Sequence, residues 1–436
     1  MSTTAASARV GSSVSELGSI CKAWAPLAMS WLLVMVELPL VSAFLGRFAE
    51  PERNLAAFGG VVFPLVLVAS SPVIMLLSAA TALARDRESY RVLRRFAHLA
   101  GAALTVLYVA VVWTPLYRVI VAGAIPPPSP ILELAGLGLM VVTPYVWLVA
   151  WRRTAGGVLI RSGQSTRIGA ATTLRLAAVL ATLAGGAWLE VGPGVVVGAA
   201  ALVLGVASEA LYLNFHAWRV ARRLPRAPRA ADVLTWPRFA RFYSPLAATA
   251  VLSLAVQPLT SAAIARMPHV TESLAVWAVV NGLLSIFAAP GFAYQEAVVA
   301  LSGRPAARAA LARFAALMAG SVTLLLAVVA VSPLGTWLFA RVWGLTPAYA
   351  GLASAALWLG LLIPALTAGQ SLFQGRLVHE RRTRVVTEGI VLYLLVAAAI
   401  FAGGVAGGSV PGVHVALGGL TLALLARDAW LWHRSR

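Results

Sequence analysis

The strongest constraint in this sequence is a succession of apolar runs of 20 or more residues, most of them bounded by charged residues and none alternating polar with apolar. About 20 apolar residues, coiled as a helix, match the hydrocarbon thickness of a bilayer. Backbone N–H and C=O groups find no water there, so only helices and closed barrels cross it. The absence of period-two alternation selects helices. Twelve spans are predicted, at about 24–46, 55–83, 96–117, 131–151, 168–188, 195–217, 243–265, 274–301, 314–340, 351–375, 385–405 and 411–432. The predicted fold class is therefore all-α integral membrane.

Composition agrees. Charged residues are 11% of the 436 positions and hydrophobic residues 60%, against about 25% charged in soluble domains. No sizeable soluble domain fits between the spans. Cys21 is the single cysteine, which excludes an intramolecular disulfide and a Cys-rich metal site. Residues 1–22 are rich in Ser, Thr and Ala and lack the basic-then-apolar pattern of a cleaved signal, so they read as a cytoplasmic tail.

The net charge of +19 points at first to nucleic acid. Its distribution argues otherwise. The segments 84–95, 152–167, 218–241, 303–313 and 376–384 are basic. Those near 47–54, 118–130, 189–194, 266–273 and 402–410 are near neutral. The positive-inside rule places the basic set in the cytoplasm. Both termini then lie inside, as an even number of spans requires. The expected location is a bacterial inner membrane, and the expected partners are the bilayer and a small molecule, with no nucleic acid.

The chain also repeats itself at a spacing of about 219 residues. Trp24-Ala-Pro-Leu-Ala opens span one, and Tyr243-Ser-Pro-Leu-Ala opens span seven. Pro39-Leu40 falls on Pro258-Leu259, Ser42-Ala43 on Ser261-Ala262, and Arg47 on Arg266. Pro72 meets Pro290 with one residue of slippage, and Pro144 in span four meets Pro364 in span ten. Matched prolines carry weight, because each one breaks a helical hydrogen bond and persists only where neighbours compensate. The expected organisation is a tail (1–22), a six-helix half (23–221), a cytoplasmic linker (222–237) and a second six-helix half (238–436). Six spans per half give both halves one orientation, a parallel repeat about an axis along the membrane normal.

Three stretches carry a family resemblance: Phe242-Tyr-Ser-Pro-Leu-Ala; Ala289-Pro-Gly-Phe-Ala-Tyr-Gln-Glu296; and the pattern from Pro144 to Arg167 with its partner from Pro364 to Arg384. With two six-helix halves, the chain resembles the multidrug and toxic compound extrusion (MATE) fold of the MOP exporter superfamily. Within it, the chain is similar to the progressive ankylosis protein family. That resemblance implies export of a small organic anion of the pyrophosphate, nucleotide or citrate class. The chain departs from the family in lacking a second acidic group in span one and the long acidic tail of animal members.

Ionisable residues inside a bilayer are costly and point to function by default. Glu37 lies about 14 residues into span one, near the bilayer centre, and is followed by Pro39. It suits proton binding, pairing with an arginine, or a neutral hydrogen bond between helices. Gln257 in span seven stands almost at the equivalent place, as a pore residue or as helix–helix glue. Gln295 and Glu296 follow the Pro290-Gly291 break in span eight. Glu209 sits in the middle of span six, as a transport residue or the partner of a neighbouring arginine. Arg175 in span five either attracts an anion or snorkels to the surface. Arg152 and Arg153 read as topology determinants. Pro39, Pro72, Pro144, Pro258, Pro290 and Pro364 are expected to bend helices and shape a cavity.

No enzyme constellation or P-loop is present, no cofactor is called for, and the histidines show no metal-ligand spacing. The reading is a secondary transporter exporting a small organic anion, with a coupling proton as a further partner. The alternatives are a proton-coupled exporter of cationic drugs, a flippase for a lipid-linked precursor, and, outside transport, a membrane scaffold or membrane-embedded enzyme.

Overall fold

A computed structural model describes residues 2–226, 234–302, 307–380 and 382–435. Every helix or strand assignment among them is helical. The centre of the predicted linker, 227–233, lies outside the described residues, as do 303–306 and 381 in two of the basic segments.

Among the described residues, eleven helices are long and apolar enough to cross a membrane, and the broken helices between Val112 and Thr166 bring the number to twelve. This is a multi-pass membrane protein. Spans one to three are Glu16–Leu45, Pro51–Leu83 and Arg87–Val112. Span four runs from Ser129–Val141 through a break into Tyr145–Arg161. Spans five to eight are Thr166–Trp188, Gly194–Ala221, Trp236–Ile264 and Val270–Leu301. Spans nine to twelve are Arg308–Val331, Pro347–His379, Arg384–Gly407 and Gly412–Arg434.

Several boundaries differ from the predicted ones, for a common reason. Charge marks the edge of the bilayer, whereas helices end where capping or a break ends them. Span three begins nine residues early because the Asp86 carboxylate caps it, accepting from the Ser89 N–H at 2.7 Å. Span four continues through Arg152 and Arg153 to Arg161. Arg161 then reaches back to the carbonyls of Thr81 and Ala82 at the end of span two, where a cation complements the helix dipole. Span nine ends at Val331, and Pro333 starts a separate short helix.

The repeat is visible in the backbone. Spans four and ten break just ahead of Pro144 and Pro364 respectively. The short helices beginning at Leu116 and Pro333 precede those spans in turn. Glu50 and His269, which stand 219 residues apart, both take left-handed conformations (φ 53° and 58°) just before spans two and eight. That region is unfavourable for a residue with a side chain, so its recurrence at the repeat spacing is not a matter of composition.

Packing divides the chain differently from the sequence halves predicted at 23–221 and 238–436. One compact unit comprises residues 40–278, and the other comprises 1–39 with 279–436. The reason lies in span one: buried Ile20 and half-buried Trp24 join a core made with Tyr294, Val298, Leu311 and Ala368 of spans eight, nine and ten. The Trp24 indole also donates to the Pro290 carbonyl at 2.9 Å. Within residues 40–278, the Tyr243 hydroxyl of span seven donates to the Pro72 carbonyl at 2.6 Å. The described ends of the linker are tied down here as well. Arg87 binds the carbonyls of Leu224 and Pro225, and Leu234 N–H reaches Ser89 at 3.4 Å.

Candidate functional site: a cluster of arginines around Glu209

Span six carries Gly205 one turn before Glu209. A Cβ at Gly205 would fall 2.6 Å from Val179 of span five. The two helices therefore approach closely at a glycine, which brings Arg175 of span five level with Glu209. Glu209 is 4% exposed. Its Oε2 accepts from Arg152 Nη1 of span four at 2.6 Å and from Arg175 Nη1 at 3.4 Å. Arg153, next along span four, is partly buried, and its Nε and that of Arg152 meet no hydrogen-bond acceptor.

Three spans thus bring two guanidiniums onto one carboxylate, with the charge of Arg153 within electrostatic reach, so that two positive charges are in excess. Two arginines sharing one carboxylate offset part of the cost of burial, and further acceptors would offset more. Arg152, expected only to set topology, is an ion-pair partner deep in the helix bundle. Arg175 turns toward Glu209, so its charge is held inside the unit by that carboxylate. Sequence offered a neighbouring arginine as one partner for Glu209 but not which arginines meet it, because that depends on the rotation of three helices about their axes.

The other predicted residues lie elsewhere. Glu37 is buried at 5% exposure in the unit formed by residues 1–39 and 279–436. In that unit the Trp343 indole donates to the Pro39 carbonyl at 3.2 Å, and Pro39 lies against Gly282 of span eight. Glu296 is exposed and accepts from the Trp31 indole at 3.2 Å, and Gln295 is half-buried. Gln257, in the other unit, is also half-buried.

A second polar group was not foreseen. Arg427 and Asp428 of span twelve are both buried. Arg427 donates to Gln370 of span ten and lies 4.9 Å from the centre of the Tyr393 ring of span eleven. Gln370 in turn donates to Gln374 at 3.1 Å. Asp428 Oδ1 is buried with no hydrogen-bond donor. A signal for this group was present in the sequence: Asp428 stands 219 residues after Glu209, at the repeat spacing. The two acids are repeat partners with different surroundings. The first is held by arginines. The second sits beside amides and one arginine that bonds elsewhere. No group of three or more metal-ligating side chains occurs among the described residues.

No protein-family model matches the sequence. No curated protein matches it either. Solved structures do. A multidrug resistance MATE family transporter of the MOP superfamily, in an inward-facing conformation, superposes with a TM-score of 0.66 at 16% identity, over 93% of this chain and 94% of that one. The lipid II flippase MurJ, in an inward closed conformation, gives 0.68 at 11% identity, over 94% and 87%. A MOP superfamily transporter from Pyrococcus furiosus, described as having a binding pocket of reverse polarity that suggests a different function, gives 0.67 at 16%, over 95% and 96%. The fold of this chain is the one these transporters share.

Proposed function

We propose that this protein is a secondary transporter that exports a small organic anion by alternating access. The observation that carries the reading is the excess of positive charge around Glu209. A buried cluster of cations around a carboxylate already shared between two of them favours anions and repels cations. Arg153 is the group we assign to the substrate, because its Nε is an unmet donor beside a carboxylate occupied by Arg152 and Arg175. Guanidinium recognises phosphate and carboxylate groups with two parallel hydrogen bonds. Pyrophosphate, nucleotides and citrate all present such groups. The shared fold supports transport over catalysis, and one structural neighbour is itself described as having a binding pocket of reverse polarity that suggests a different function.

The rival reading, proton-coupled export of cationic drugs, needs carboxylates able to meet a cation. Glu209 is not one, since arginines hold it. Glu37 is the residue through which a proton would couple, because it is buried in span one two residues from Pro39. The test is flux in proteoliposomes loaded with radiolabelled pyrophosphate, ATP or citrate, alongside ethidium as a cation. The expected result is flux of at least one anion and none of ethidium, with Arg153→Gln lowering anion flux about tenfold or more, the loss expected from a bidentate charged contact. Ethidium flux without anion flux would overturn the proposal.

A further inference from the structure

We propose that a groove between spans eleven and twelve is a binding site for an anionic phospholipid. The site lies within one packing unit and does not depend on what the protein transports. Its volume is about 470 Å³, and it runs along one face of span eleven from Arg384 past Glu388 to Val391, Leu392 and Leu395, with Trp430 of span twelve as a wall. The polar and apolar ends are separate. Arg384 stands at the first residue of span eleven and Arg434 at the last of span twelve, so both guanidiniums lie at one membrane face. Val391 and Leu395, two and three turns further on, are 40% and 63% exposed. From Arg384 to Leu395 the helix rises roughly 16 Å, close to the length of an extended acyl chain.

The charge at the mouth fits a headgroup phosphate. Glu388 is the one carboxylate lining the groove, and it serves both arginines, at 3.3 Å to Arg384 Nε and 3.6 Å to Arg434 Nη2. Two guanidiniums against one carboxylate leave one positive charge in excess. The Arg384 side chain is 93% exposed, free to bend over a ligand. Arg434 lies 5.4 Å from the centre of the Trp430 ring, whose Nε1–H is buried with no acceptor. A phosphodiester between the two arginines would take the excess charge and bring an acceptor to that indole, while one acyl chain covers Val391 and Leu395. A zwitterionic lipid offers the same chain and phosphate, but its amine adds a positive charge beside two arginines.

Native mass spectrometry of the intact protein, titrated with phosphatidylglycerol and phosphatidylethanolamine of matched chains, tests the proposal. The wild type is expected to retain phosphatidylglycerol about tenfold better, as two surface arginines acting on an anionic headgroup would give. The double variant R384Q/R434Q should lose that preference. Glu388→Gln, which removes the competing carboxylate and keeps both arginines, should strengthen phosphatidylglycerol retention severalfold. Equal retention of both lipids by the wild type would overturn the site. So would a preference that survives in R384Q/R434Q, or weaker retention in Glu388→Gln.

Discussion

Removing the charge of Glu209 strands two guanidiniums inside the helix bundle, whereas removing that of Asp428 leaves one, Arg427, which keeps its hydrogen bond to Gln370 and its contact with the Tyr393 ring. Breaking a buried ion pair from one side costs about 3–5 kcal/mol, because the partner's charge is left uncompensated. Glu209→Gln should therefore lower stability by about that much. Asp428→Asn should cost less, since the one cation beside it, Arg427, keeps Gln370 as an acceptor and Asp428 Oδ1 meets no donor that the amide would lose. Thermal melting of the two variants in the same detergent measures the difference, and equal losses would mean that the arginines do not lean on Glu209. Both acids are plain in the sequence as charges inside apolar runs. Their difference is not, because it is made by side chains from spans four, five, ten and eleven. Arg152 is the clearest case. Its place at the end of a predicted span suggested a marker of topology, and only helix packing reveals it 2.6 Å from Glu209.

At the scale of elements, apolar periodicity and charge located the spans, while glycines and prolines decided how they meet. The break ahead of Pro144 and its counterpart ahead of Pro364 were readable, because proline removes a donor and clashes with the preceding turn. The close approaches at glycine were not, since nothing local says which helix will face a given glycine. Gly157 illustrates the point: a Cβ there would fall 2.4 Å from the Leu77 carbonyl of span two. Gly205 does the same for spans five and six and so sets the distance from Arg175 to Glu209. Gly205→Leu should push these spans apart, costing about 1–3 kcal/mol by overpacking. If the cluster binds the transported anion, flux should fall by more than the loss of folded protein explains. Flux per folded molecule, with folded protein counted by size-exclusion chromatography, is the measurement. A variant that melts lower yet transports normally per folded molecule would separate the cluster from the transport step.

For the whole molecule, the expected orientation rests on charge alone. Basic segments recur after every second span, at 84–95, 152–167 and 218–241, and the helices now bound them. Arg91, Arg94 and Arg95 lie in the first turns of span three, and Arg161 in the last turn of span four. The turn between spans five and six, by contrast, holds Glu190 and no basic residue. Arginine resists translocation and glutamate contributes little, so the turn at Ser162 should be cytoplasmic and the turn at Glu190 external. Cys21 is the single cysteine, so a Cys21→Ser background makes labelling unambiguous. With a membrane-impermeant maleimide on intact cells, E190C should label and S162C should not. After permeabilisation both should label, which shows that S162C was reachable all along. The reverse pattern would invert the molecule, and the side on which the Arg384–Arg434 groove opens would invert with it. Labelling of both positions in intact cells would instead mean that a span between them does not cross. That outcome bears first on span five, Thr166–Trp188, which carries Arg167 and Arg175 within one helix and depends on Glu209 to hold the second of them inside the bundle.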